Sequence, residues 1–201
     1  AEYRSKLLKN NFQLLKIAGV KYVITDIEIP VLETIKKLGK QTFIQRVENV
    51  LPQFYIANKI IVKDKSQILD LIIKNDFDYQ NCVVIEKNCG ITDFSEKSIN
   101  TVIKNIKWSF DETSLEVDNP NEKPVMLIFN DSYYHEWAAE INGKKTDLYT
   151  ANFLFKSIVI PSGKNKIKFY FSYSSLKKGA VISIIVFAVT AIFVGIIIFK
   201  N

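Results

Sequence analysis

At 201 residues, the chain is long enough for one large or two small packed domains, and its interleaved polar and apolar residues argue against disorder. Its 27 basic residues are scattered among 21 acidic ones, which excludes a nucleic-acid stripe and leaves the +6 excess as a mild attraction to anionic lipid. A single histidine excludes any multi-histidine metal site or His-relayed pair of bases.

The chain opens on charged Ala1-Glu2-Tyr3-Arg4 with no apolar run behind it. Three explanations stay open: a signal peptide has been removed, the chain is the tail of something longer, or the domain stays in the cytoplasm. Ser5 to Ala18 reads as an amphipathic helix, with Leu8, Phe12 and Leu15 on one face and lysines on the other. Gly19 stands where a C-cap glycine belongs, and Val20 to Thr25 follows as a strand. Beyond Pro30 the pattern predicts a short helix over Val31 to Leu38, then strands at Thr42 to Val47 and Gln53 to Val62. Ser66 reads as the N-cap of a helix through about Lys74, and Cys82 to Glu86 as a buried strand. This alternation of helices and strands predicts a small α/β layer over residues 1–97.

From about Ser98 the period changes to that of strands. Ile106, Trp108 and Phe110 alternate with polar neighbours, then Leu115 with Val117, and Val125 to Phe129 is a continuous apolar run. Trp137, Ala139 and Ile141 lead into the hairpin signal Asn142-Gly143. Phe153 to Ile160 and the alternation Ile167, Phe169, Phe171, Tyr173 complete the set, which predicts an antiparallel β-sandwich over 98–176. The fold class is therefore α+β, closed by a membrane span with basic flanks at 177–201. Gly179 to Phe199 carries no charge and no proline, and roughly 20 such residues cross a hydrocarbon core of about 30 Å.

Chemistry is sparse. No G-x-S-x-G, P-loop, G-x-G-x-x-G or HExxH is present, so neither a catalytic residue, a metal site nor a cofactor is expected. Asp26 with Glu28 could form a carboxylate pair, but charges on a solvated strand edge explain them as well. Glu136 beside His135 reads as loop surface. Asn130-Asp131-Ser132 fits a glycosylation sequon. Cys82 and Cys89 have neither zinc-knuckle nor CxxC spacing, and two free thiols are expected over a disulfide. Tyr133, Tyr134 and Trp137 are candidate aromatics that contact a glycan, dip into lipid or simply build the scaffold. In the span, Ala188, Ala191 and Gly195 form a candidate small-residue face for packing against another helix.

An ordered series of short segments carries a resemblance. Tyr133-Tyr134-x-x-Trp137, Ile141-Asn142-Gly143-Lys144, Ala151-Asn152-x-Leu154-Phe155 and Val159-Ile160-Pro161-Ser162-Gly163-Lys164 follow one another. Earlier come Ile17 to Ile24, Asn75 to Tyr79 and Val83 to Glu86. In this order they resemble the C-terminal part of the YfhO-like family of bacterial multi-spanning membrane proteins. Two positions depart from the family pattern: His135-Glu136, where a Pro-Gly-like turn is usual, and Asn165, where histidine is usual. The resemblance implies a parent membrane glycosyltransferase that uses a lipid-linked sugar. Its catalytic carboxylate would lie in an earlier loop, leaving this piece as a non-catalytic accessory domain on the extracytoplasmic side. Implied partners are the bilayer, membrane helices of the parent or of a membrane complex, and a cell-envelope glycan or wall polymer. The rival is a single-span, tail-anchored subunit with a cytoplasmic binding or assembly domain, which Lys177 and Lys178 against Lys200 favour under the positive-inside rule.

Overall fold

A computed structural model describes residues 12–39, 41–57, 59–74, 76–86 and 100–200. The described chain is mostly β: three sheets, two short helices and one long apolar C-terminal helix. Helix α1 is Phe12–Ile17; the remainder of the helix expected from Ser5, like Cys89, lies outside the described residues.

The first sheet is small. Strands β1 (Tyr22–Thr25), β2 (Glu33–Leu38) and β3 (Thr42–Arg46) pair antiparallel in the order β1-β3-β2. The helix expected over Val31 to Leu38 is therefore a strand. Its helix-like pattern yields to pairing with β3, and β-branched Thr34 and Ile35 suit the extended form. Buried Gln45 holds the loop that enters β2. Its Nε2 donates to the Ile29 carbonyl at 2.9 Å and its Oε1 accepts from the Ile29 N–H at 3.0 Å. The amide thus does for Ile29 what a neighbouring strand would do.

The stretch expected as one strand from Gln53 divides into β4 (Phe54–Ala57) and β5 (Lys59–Val62). Helix α2 (Lys65–Ile72) follows, with Asp64 and not Ser66 at the cap position and no side-chain cap bond. It connects β5 to the parallel strand β6 (Cys82–Ile85), the one crossover unit in which helix and strands alternate as expected.

Beyond residue 100 come β7 (Val102–Trp108), β8 (Glu112–Asn119), β9 (Val125–Ser132), β10 (Trp137–Ile141) and β11 (Lys144–Thr146). They are followed by β12 (Tyr149–Ala151), β13 (Phe155–Ile160) and β14 (Gly163–Phe171). A five-stranded sheet runs β11-β10-β14-β8-β7, and a six-stranded sheet runs β4-β9-β13-β12-β6-β5. The larger sheet takes β4, β5 and β6 from before residue 97 and β9, β12 and β13 from after it, so both portions of the chain share one sheet. Asn142 and Gly143 both have positive φ, 53° and 77°, as the tight turn between β10 and β11 requires.

Two cores lie on the two faces of the six-stranded sheet. On one face Tyr55, Val83, Ile85, Met126 and Ile128 pack with Ile17, Ile68 and Ile72 from the helices. On the other, Phe54, Val125, Leu127, Phe129, Ile158 and Ile160 meet Leu115, Val117, Ala139, Ile167 and Phe169 from the five-stranded sheet. The continuous apolar run at the start of β9 follows from this: its alternate side chains enter different cores, so none can be polar.

Helix α3 (Ser174–Lys200) leaves the end of β14 after a two-residue link, Ser172 and the left-handed Tyr173 (φ 54°). Its stretch Ser174–Ile196 is long and apolar enough to cross a membrane, and none of it is buried by the rest of the protein.

Gly19 fixes how α1 meets this scaffold. Its φ is +69°, and a Cβ there would stand 3.0 Å from both Asn130 Nδ2 and the Leu51 carbonyl oxygen. Gly19→Ala should therefore cost about 1–3 kcal/mol, the range for a strained left-handed residue. Denaturant unfolding followed by tryptophan fluorescence measures the loss.

Candidate functional site

Three features gather where β9, β10 and β14 approach the start of α3. The first is the joint itself. Four residues, Tyr133 to Glu136, carry the chain from β9 to β10 and turn Glu136 inward, where it is buried. Its carboxylate accepts from the backbone N–H groups of Ser174 at 2.7 Å and Ser175 at 3.0 Å. It also accepts from the hydroxyls of Ser172 at 2.8 Å, Ser174 and Ser175. The first turn of α3 has no acidic residue of its own, so Glu136 supplies from another element both the acceptor and the negative charge that a helix N-terminus favours. The hydrogen bonds from Ser175 and Ser174 outweigh the cost of burial and hold the Glu136 carboxyl well below the usual carboxylate range. Glu136 is thus not loop surface, whereas neighbouring His135 is mostly exposed, its ring against Tyr134.

The second feature is a buried lysine. Lys156 is the second residue of β13 and has no exposure, and its Nζ donates to Asp131 Oδ2 at 2.6 Å. The ammonium sits 3.6 Å from the Trp137 ring centre and 4.3 Å from that of Phe129. Burial pushes its pKa down, and Asp131 opposes that shift. A register shift between β9 and β13 at this point leaves Asn130 and Asp131 as extra residues, which re-aims Asp131 toward the lysine. Trp137 therefore covers a buried cation, edge-on to Phe129 and Phe171, and Tyr134 stacks parallel to Phe171 at 6.0 Å.

The sequon falls in the same irregularity. The Asn130 Nδ2 that a glycan would need already donates to the Ile17 carbonyl at 2.9 Å.

The third feature is a cleft of about 710 Å³, lined by Lys65, Glu86, Tyr133, Tyr149, Phe153 and Leu154 among others. Its lip is a turn in which two non-glycine residues, Asn152 (φ 46°) and Phe153 (φ 74°), are left-handed. Buried Asn152 over-determines that conformation. Its Oδ1 accepts from the Val84 N–H at 3.0 Å, and its Nδ2 donates to the Tyr55 hydroxyl at 3.2 Å. Phe153 and Leu154 remain partly exposed at the lip, and the Lys65 ammonium lies 5.9 Å from the Phe153 ring centre.

Of the candidate aromatics, then, Tyr133 lines the cleft, while Tyr134 and Trp137 belong to the stack at the joint. Ala188, Ala191 and Gly195 lie on the unburied length of α3, with open space around Gly195. Asp26 and Glu28 are exposed, and Glu28 accepts from the Thr34 hydroxyl at 2.9 Å. Cys82 is a half-buried free thiol. Asn165, the other departure from the family pattern, is buried and donates to the carbonyls of Pro161 at 3.0 Å and Gly163 at 2.9 Å. It also accepts from the Asn142 amide, tying two turns at the far end of the five-stranded sheet. Among the described residues no group of three or more His, Cys, Asp and Glu could hold a metal ion.

A β domain whose own carboxylate caps a membrane-length apolar helix is a bilayer-associated module. The chain belongs to the family described as bacterial membrane protein YfhO, whose model matches residues 56–183, from within β4 to the first part of α3. No curated protein and no solved structure matches the chain.

The joint makes a pH prediction. The Glu136 carboxyl is depressed in the folded protein, so its contribution is fully present above the ordinary carboxylate pKa of about 4.3 and is lost as pH falls through its own lower value. Glu136→Gln should lower thermal stability at neutral pH. The gap to the wild type should close only in strong acid, which melting curves followed by tryptophan fluorescence across that range will register.

Proposed function

We propose that this chain is the extracytoplasmic accessory domain and last membrane helix of a multi-spanning membrane glycosyltransferase, and that it performs no catalysis itself. The observation that carries the reading is the family match, which runs through both large sheets and into α3. The joint supports it. A domain fixed to its helix by a buried carboxylate, without a flexible linker, suits a cover over a membrane core better than a freely swinging binding module. In this reading the two larger sheets act as the β-sandwich of that cover. The cleft is where an acceptor glycan or wall polymer would touch it. Tyr133 and Phe153 offer ring faces to sugar C–H groups, and Lys65 and Glu86 offer polar partners for hydroxyls.

The rival, a tail-anchored subunit with a cytoplasmic domain, rests on two lysines before the span against one after it. Labelling separates the two. With Cys82 and Cys89 replaced by serine, Lys144→Cys places a thiol at an exposed hairpin position far from the joint. An impermeant maleimide should label it on intact cells. Labelling that needs lysis overturns the extracytoplasmic reading and favours the rival.

The reading also asks α3 to pack against other membrane helices through Ala188, Ala191 and Gly195, where small side chains let a second backbone approach. Gly195→Leu should reduce co-purification of the chain with its membrane partners. Undiminished co-purification would make α3 an inert anchor.

A further inference from the structure

The hairpin joining β7 to β8 ends beside the root of α3. Strands β8 and β14 pair from Gly163↔Asn119 to Tyr170↔Glu112, so the turn before Glu112 lies at the end of β14 that becomes α3. The Phe171 N–H donates to the Asp111 carbonyl at 2.9 Å, two residues before the Ser172–Tyr173 link is complete. At this turn Phe110 is 99% exposed, more than any other large apolar residue described outside or inside α3. Trp108, 53% exposed, is the last residue of β7, two residues before Phe110, with its inner edge on Phe54 and Phe129. Tyr134, 51% exposed, lies at the same end against Phe171.

An isolated exposed phenylalanine needs no explanation, but its height above the membrane does. The charge-free stretch begins at Gly179, five residues after Ser174, a rise of about 7.5 Å along the helix. Headgroups add roughly 5–7 Å on each side of the hydrocarbon core. With Gly179 at the hydrocarbon boundary, Ser174 stands at the outer edge of the headgroup layer, and so does the hairpin tip bonded next to it. Phenylalanine, tryptophan and tyrosine at this depth are the residues that prefer the interface. Charge is consistent with this occupant. Lys107, Lys177 and Lys178 are exposed near the hairpin tip and the root of α3. Of the nearby acids, Glu112 is paired with Lys168 at 2.6 Å and Glu136 is buried in the joint, which leaves Asp111 beside Tyr173.

We propose that the tip of the β7–β8 hairpin is a lipid-contact element: the Phe110 side chain dips into the headgroup layer beside α3, with Trp108 and Tyr134 at its outer edge. The domain then meets the bilayer at two places, the helix and the hairpin, and is held from rotating about α3. Distance from the span, aromatic content and charge are the same on either side of the membrane, so this contact stands apart from the glycosyltransferase reading.

The test puts the full chain, with Cys82 and Cys89 replaced by serine, into vesicles of phosphatidylcholine and phosphatidylglycerol. An environment-sensitive fluorophore is attached at Phe110→Cys or, for comparison, at Lys144→Cys in the distal hairpin. The probe at position 110 should be blue-shifted and should lose emission to lipid carrying a nitroxide just below the headgroup, while the probe at 144 should do neither. Should the cysteine-free background fail to fold, Trp108 gives the same reading. In Trp137→Phe it is the one remaining tryptophan, and lipid brominated near the headgroup should quench it. A residue-110 probe as unquenched as the one at 144, or an unquenched Trp108, overturns the proposal. Shielding that requires a second membrane protein also overturns it and assigns the face to a protein partner.

Discussion

The constraint on which the rest depends is that β9 is buried on both faces. Val125, Leu127 and Phe129 enter the core shared by the two large sheets, while Met126 and Ile128 enter the core under α1 and α2. Burying five such side chains is worth on the order of 10 kcal/mol, comparable with the whole net stability of a domain. A strand in that position must have partners on both edges, and it takes β4 from early in the chain and β13 from late. Long-range pairing of this kind makes the two portions of the chain fold as one body. At the outer edge of the five-stranded sheet, β7 reaches the core shared by the two large sheets only through Ile103 and the inner edge of Trp108, and between them it carries a bulge and a positive-φ Asn105.

The same strand ends in charge. After Phe129 the irregularity at Asn130 and Asp131 closes the apolar run, Asp131 meets Lys156, and the chain turns at once to Glu136. An ammonium without solvent exposure is tolerable only because a carboxylate and two ring faces surround it. Such a pair adds little net stability compared with a hydrophobic replacement, but it admits only one arrangement of β9, β10 and β13. Glu136 does for α3 what Lys156 does for the strands. Both charges therefore act on orientation, and the quantity they set is the direction in which the membrane helix leaves the domain.

How much of this could be read from the sequence depended on whether the determining interaction was local. The Asn142-Gly143 hairpin, the strand at Cys82, the alternation that ends in β14 and the apolar span were legible because turn chemistry, period and length are properties of short stretches. Val31 to Leu38 misled because its helical pattern competes with pairing to β3, a contact that the stretch itself does not reveal. The site was less legible still. Lys156 is a charge inside the apolar run Phe155 to Ile160, which signals a buried pair, but its partner Asp131 is a cross-strand neighbour that the run itself does not reveal. Glu136 left a fainter trace. The serines at 172, 174 and 175 precede a helix with no acidic residue in its first turn, so an acceptor had to come from elsewhere.

A short run of contacts leads from the joint to the cleft. Ser174 is bonded to Glu136, which is followed directly by Trp137 over Lys156 and preceded by the turn that holds Tyr133. The Tyr133 N–H in turn donates to the Leu154 carbonyl at 2.6 Å, and Leu154 with Phe153 forms the lip. The links are hydrogen bonds, ring contacts and the short turn from Tyr133 to Glu136, so one four-residue connection reaches both the joint and the lip. The one consecutive non-glycine pair at positive φ among the described residues, Asn152 and Phe153, sits at the end of that chain of contacts. Strain stored there persists only while Val84 and Tyr55 hold Asn152. The lip is thus held from beneath, through Asn152, while Phe153 and Leu154 stay open to whatever enters the cleft.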